Sequence, residues 1–212
     1  MTPPAAPQTL ADHLAILGNI PPDRVHGHPA PGTATVDDWE AAVDGGAVCE
    51  LVDGVLVDKA MVWYESLLAS SLNRHIGNCA AGERLGVVAG EQGFITLPGG
   101  QIRAPDVAFY LRRKFDGGKL PSGKRPAVVP DIAAKVLSEG NTVAEIAQKR
   151  RELFAAGTSI LWIFDPRTRS VAVYTSPTHY TMVDVNGALT GGDVLPSLRI
   201  PLAEVFAEID GE

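Results

Sequence analysis

Cysteine is nearly missing from this 212-residue chain: Cys49 and Cys79 are its two, and they share no CxxC spacing. That excludes a disulfide framework and leaves thiol zinc sites and dithiol redox motifs without ligands, so both are read as buried free thiols. Long apolar runs are also lacking, and no segment approaches the roughly 18 residues of a membrane span. A positively charged start followed by a continuous apolar stretch is absent as well, so no secretory signal is read and a cytoplasmic protein is expected. Internal repeats are missing, which excludes solenoids and propellers.

What is there is the balance of a globular protein, with 45% hydrophobic and 20% charged residues. Residues 1 to about 33 stand apart, because Pro3, Pro4, Pro7, Pro21, Pro22, Pro29 and Pro31 lie among Ala and Gly. That composition disfavours regular structure and reads as a loosely attached arm, followed by a single domain over residues 34–212. The net charge of −7 argues against a protein that coats nucleic acid with its whole surface. The charge is uneven, however: residues 103–169 hold 13 of the 18 Lys and Arg but 7 of the 25 Asp and Glu, so this segment is +6 and the remainder −13. Its basic loop at 112–125 could face a polyanion, or could simply be solvated.

Periodicity supplies the elements. Thr35 is placed to cap a short helix through Trp39, with Asp37, Asp38 and Glu40 in its first turns. Residues 47–52 and 55–58 read as two strands joined by Asp53-Gly54, a dipeptide suited to a tight hairpin. Met61, Tyr64, Leu67, Leu68, Leu72, His75, Ile76 and Cys79 form the apolar stripe of a helix, on which His75 reads as a packing residue. Short strands follow at 86–89 and 93–97, then one strand over 101–111. A strand at 131–138 leads into a helix opened by Thr142, with Glu145 at capping-box spacing and Gly157 as its C-cap. Residues 160–164 form an apolar run expected of a central strand, 171–174 and 180–185 read as edge strands, and 202–206 as a closing helix. The order implies an α/β fold, a mixed central sheet flanked by helices, with a parallel crossover from 131–138 to 159–164.

Two of these strands place a charge inside an apolar run: Asp106 in one and Lys135 in the other. Burying an ionised group unpaired costs several kcal/mol or more, so each is expected to meet a partner, a metal or a substrate. Alternation puts Asp106 with Ala108 and Tyr110, and Lys135 with Asp131, Ala133 and Leu137, so the two side chains meet if the strands are neighbours. Glu50, inside the first hairpin strand, and Lys149, beside the apolar stripe of the helix after Lys135, are candidates for the same cluster.

The ordered set Cys49-Glu50-Leu51-Val52-Asp53-Gly54, Arg103-Ala104-Pro105-Asp106, Pro130-Asp131 to Val136-Leu137-Ser138, Lys149, and Leu161-Trp162-Ile163-Phe164-Asp165-Pro166 resembles the Uma2 family over most of residues 35–206. That family is similar to the PD-(D/E)XK nuclease superfamily, so the resemblance implies a restriction-endonuclease-like fold and a Mg²⁺- or Mn²⁺-dependent DNA endonuclease. It implies Asp106 as the first acid and Glu50 as the early glutamate, both metal ligands, with Lys149 as the lysine that orients the nucleophile. The second acid is expected at position 135, where this chain has Lys135. A cation there removes a ligand and adds repulsion, so the site is expected either to be silent, leaving a nucleic-acid-binding or assembly module, or to borrow Glu139 or Glu145. Glu65 stands where the resemblance leads to a histidine. A homodimer is a further implication of the resemblance.

Overall fold

Capping and turn residues set the boundaries of the first elements in the computed structural model, which describes residues 7, 9–60 and 62–210; Pro3, Pro4 and Met61 lie outside them. Thr9 and Asp12 form a reciprocal capping box at the head of α1 (Leu10–Ile16). Thr35 and Asp38 do the same for α2 (Val36–Asp44). Asp53 and Gly54 both take positive φ, as a tight hairpin turn requires, and join β1 (Cys49–Val52) to β2 (Val55–Asp58). The apolar stripe then buries Leu68, Leu72 and Ile76 along α3 (Trp63–Glu83).

The remainder alternates short strands with two helices: β3 (Gly86–Ala89), β4 (Ile95–Thr96), β5 (Ile102–Arg103), β6 (Val107–Leu111), β7 (Ile132–Val136), α4 (Val143–Ala156), β8 (Ile160–Asp165), β9 (Ser170–Tyr174), β10 (Tyr180–Val183), β11 (Ala188–Gly191), β12 (Leu195–Pro201) and α5 (Leu202–Asp210). Six strands make the central sheet in the order β10-β9-β8-β7-β6-β3. Its β7–β8 pair is parallel, across α4, and its other pairs are antiparallel. This is the mixed α/β architecture read from the sequence. One face packs Val107, Phe109, Ala134 and Trp162 against α3 and α5. The other packs Ala108, Tyr110, Ala133 and Leu161 against Ile146 and Leu153 of α4. No helix among the described residues is long and apolar enough to cross a membrane.

Four readings are corrected. The strand expected over 101–111 is broken at Ala104-Pro105-Asp106, because Pro105 has no N–H to give a ladder and its φ is fixed. The piece before the break, β5, joins a separate sheet ordered β2-β1-β5-β4, while β6 enters the central sheet. The segment at 171–174 is not an edge strand, since β10 pairs outside it. The β11–β12 hairpin, a third sheet, went unread because its Gly191-Gly192 and Pro196 punctuate a pattern too short to show alternation.

Lastly, the proline-rich segment is no loose arm over its described part. Leu17 and Ile20 are buried against Val52, Val55 and Val57. Gly32 and Ala34 both donate to the Gly54 carbonyl, and Arg24 is buried. Gly18, at φ +83, lies so close to α4 that a Cβ there would fall 2.4 Å from the Glu145 nitrogen.

Candidate functional site

The break at Pro105 sets Asp106 where the two larger sheets meet. Its own N–H donates to the Ala134 carbonyl, continuing the antiparallel register of β6 on β7 and bringing Asp106 beside Lys135. The Asp106 side chain is fully buried. Oδ2 accepts from the Val136 N–H at 2.8 Å and stands 3.1 Å from Lys135 Nζ. Oδ1 stands 3.2 Å from Lys59 Nζ, a buried ammonium that also donates to the Glu91 carbonyl at 2.7 Å. Burial pushes the Asp106 carboxyl up, but the Lys135 and Lys59 charges with the Val136 N–H outweigh it and hold the group below the ordinary carboxylate range. Burial pulls Lys135 the other way, below the ordinary lysine value, against the Asp106 charge that supports its protonation.

Glu50 is buried on β1, within reach of β5 and α4. Oε1 accepts from the Ala104 N–H at 3.1 Å, and Oε2 lies 3.0 Å from Arg103 Nη1 and 2.9 Å from Lys149 Nζ. Burial raises the Glu50 carboxyl, yet the Lys149 and Arg103 charges together drive it well below its usual range. Lys149 is therefore not a solvated helix-flank lysine. Lys135 pairs with Asp106, while Glu50 is satisfied from the other side by Arg103 and Lys149.

From Lys149 the pairing continues to Glu145 at 3.2 Å, and Glu145 is gripped by both Nη groups of Arg24, each at 3.0 Å. From Arg103 it continues to Glu152 by two parallel N–H···O bonds. The result is a chain of alternating charge, Arg24, Glu145, Lys149, Glu50, Arg103, Glu152, crossing three elements and the N-terminal segment. Thr142 caps α4 as expected, accepting from the Glu145 N–H at 3.1 Å. The Glu145 carboxylate is spent on Arg24, Lys149 and Asn141 rather than on the cap; burial pushes it up, but Lys149, Arg24 and Asn141 together outweigh that and hold it down at about 2. Glu139 is exposed and pairs with Arg167, away from the cluster. Glu65 is buried in the first turn of α3 with Oε2 unpartnered.

An open cleft of about 560 Å³ reaches Asp106 between α3, which contributes Ser66, Ala69, Ser70 and Asn73, and the loop at 90–93. The basic loop does not line it. Arg112 and Lys114 follow the far end of β6, about 17 Å along a five-residue strand from Asp106. Much of the loop's charge is also spent: Lys114 pairs with Asp131, Lys124 with Asp44 and Arg125 with Glu40, while Arg113 and Lys119 stay exposed. No group of His, Cys, Asp and Glu arranged to hold a metal ion occurs among the described residues.

Sequence reasoning missed Lys59 and Arg24. Lys59 follows β2 in Asp58-Lys59-Ala60, outside any apolar run that would mark it as buried. Arg24 sits among prolines, where no periodicity exists to assign it a face.

The fold matches a crystal structure described as a "putative nuclease belonging to DUF820 from Anabaena variabilis ATCC 29413", with a TM-score of 0.71, 17% identity, and coverage of 82% of this chain and 98% of that one. No curated protein matches the chain. A family model matches residues 35–203, from the cap of α2 to the first turn of α5, and so takes in Glu50, Asp106, Lys135 and Lys149 in their order. The chain belongs to that family, Uma2, described as "Putative restriction endonuclease".

Proposed function

We propose that this protein is a nucleic-acid-binding module on a nuclease fold, in which two ammonium groups stand where the family's divalent cation would be held and metal-dependent phosphodiester hydrolysis is lost. The observation that carries this reading is Asp106 clamped between Lys59 and Lys135. Mg²⁺ requires near-octahedral oxygen ligands at about 2.0–2.1 Å and keeps several waters. Asp106 is fully buried and meets an ammonium at each oxygen, and Glu50 is taken by Arg103, Lys149 and the Ala104 N–H. These donors do not fit a divalent cation. Glu145, the carboxylate that could stand in for the second acid, is committed to Arg24.

The ammonium groups supply the electrostatic part of a cation's role without its Lewis acidity or its bound water. Two lysines against one carboxylate leave this buried trio with one surplus positive charge, while the cleft that reaches it has Asp106 and Glu91 as its charged lining residues. DNA is the ligand class that the family supports. The test is anisotropy of a labelled DNA with the full chain, in EDTA and in Mg²⁺ or Mn²⁺, over a salt series, with the DNA then run on a gel. Binding that is indifferent to EDTA, falls with salt and leaves the DNA intact is the expected result. Cleavage that depends on the metal would overturn the proposal.

A further inference from the structure

The buried ion pairs around Asp106 and Glu50 do not balance. Their cations are Arg24, Lys59, Arg103, Lys135 and Lys149, and their carboxylates are Glu50, Asp106, Glu145 and Glu152, none with more than 18% of its side chain exposed, which leaves one positive charge in excess. The excess is concentrated at one place. A cavity of about 30 Å³ between α4 and the sheet is lined by Arg103, Lys135, Lys149 and Arg150 against a single carboxylate, Glu50. The rest of its wall is apolar, from α4, β7, β8 and the Ala104-Pro105 break. Both Glu50 oxygens are already taken, one by the Ala104 N–H and the other by Arg103 and Lys149. Arg150 adds a further cation that nothing answers. Its guanidinium carbon lies 4.5 Å from the centre of the Tyr174 ring, no carboxylate pairs with it among the described residues, and its buried Nε has no hydrogen-bond partner.

From this arrangement we infer that the cavity is a binding site for a single halide ion, chloride under ordinary conditions, which completes the charge balance of the buried cluster. The inference is independent of nucleic-acid binding. Cations that face one another across an apolar-walled space repel strongly at the low effective dielectric of an interior, and an anion between them replaces that repulsion with attraction. The donors are at hand. An ammonium has three N–H bonds; Lys135 uses two, on Asp106 and the Ala60 carbonyl, and Lys149 uses two, on Glu50 and Glu145, so each has one to spare. Arg150 Nε supplies a third, and a charge-assisted bond to an anion is stronger than a neutral one. Size decides the kind of anion. A water needs about 10–15 Å³ of such space, so the cavity takes roughly two water-sized atoms, whereas phosphate and sulfate each carry four oxygens. Water is the competing occupant, but it brings no charge and leaves the excess in place. Lys149 and Arg150 keep part of their surface in solvent, which sets one side of the cavity at the protein surface.

Thermal unfolding of the full chain in sodium chloride and in sodium gluconate, at equal sodium, separates a bound halide from screening, because gluconate is too large for the cavity. The expected result is a melting temperature that climbs and saturates with chloride or bromide and does not with gluconate. The chloride NMR line should broaden in the presence of the protein and sharpen again on adding bromide. Arg150→Met keeps the aliphatic stem and removes the charge, and is expected to weaken halide binding about 10- to 100-fold, with part of it recovered in Arg150→Lys. Crystals of the native chain grown in bromide locate the ion independently of any variant, as an anomalous peak between Arg150 Nε and the Lys135 and Lys149 ammonium groups. An equal response to chloride and gluconate would reduce the effect to screening and overturn the inference. A halide response that Arg150→Met leaves intact would place the ion elsewhere and overturn it too, as would bromide crystals whose cavity holds water alone.

Discussion

Lys59 Nζ stands 3.2 Å from Asp106 Oδ1, across the carboxylate from Lys135, so two cations rather than one clamp the carboxylate proposed above as the remnant of a metal site. Reversing Lys135 alone is then an incomplete repair. Lys135→Glu is expected to bind Mg²⁺ no better than the native chain, because Lys59 still neutralises Asp106. Lys59→Ala combined with Lys135→Glu creates two facing carboxylates and is expected to bind the ion with a stoichiometry of one by calorimetry. Metal at 100 times its Kd should then stabilise the double variant by about 2.7 kcal/mol. Stoichiometric Mg²⁺ binding by the native chain would sink this account.

Arg24→Ala removes the far anchor of the charge chain and leaves Glu145 buried with Lys149 as its remaining cation. Breaking a buried pair from one side costs about 3–5 kcal/mol. Denaturant unfolding of the variant should show a loss in that range with an unchanged m-value. A loss below about 1 kcal/mol would mean that Arg24 acts as an exposed pair does.

Acid should unfold the protein early. Asp106, Glu50 and Glu145 all titrate lower in the fold than in the open chain, so the unfolded state takes up protons first as the pH falls. Their stabilisation is complete above the unfolded carboxylate values near 4 and is lost as the pH drops through the folded values, about 2 for Glu145. Thermal melts from pH 6 to pH 2 should show a steep fall below about pH 4.5. Because Glu145 loses its closest cation in Arg24→Ala, that variant should show a shallower fall; parallel curves would contradict the assignment.

Gly18→Ala would set a methyl group against the α4 backbone at a φ that side chains rarely adopt. The strained backbone alone is worth about 1–3 kcal/mol, and the overlap adds to it. Limited proteolysis should then cut between residues 10 and 32 while the rest of the domain resists. Wild-type resistance in this variant would show that the segment tolerates displacement.

The site's centre was legible because of contrast. Asp106 and Lys135 are charges inside apolar alternation, and the same period that marks them also predicts that they meet across neighbouring strands. Glu50 showed by the same signal. Lys149 showed more weakly, as a lysine bordering the apolar stripe of its helix, and its role came from the family resemblance. Arg103 was seen as part of a motif, but its double pairing with Glu50 and Glu152 depends on β1 and β5 sharing a sheet, which no local pattern specifies. Lys59 and Arg24 lay in turns and proline-rich sequence, where burial is decided wholly by distant contacts. The break at Pro105 was readable in principle, because a proline within a run demotes a strand, and it is this break that sets Asp106 at the meeting of two sheets.

The pairing of Arg24 with Glu145 joins residues 121 apart, and the Gly18 carbonyl accepts from Thr142 across 124. During synthesis the segment around Arg24 leaves the ribosome long before its partners exist, and closing so wide a loop is entropically slow. Residues 10–32 are thus early made and late docked. Their contacts should form after the main folding barrier, so Arg24→Ala is expected to refold at the wild-type rate and to unfold faster. A segment that began as an apparent appendage then sets how long the native state lasts.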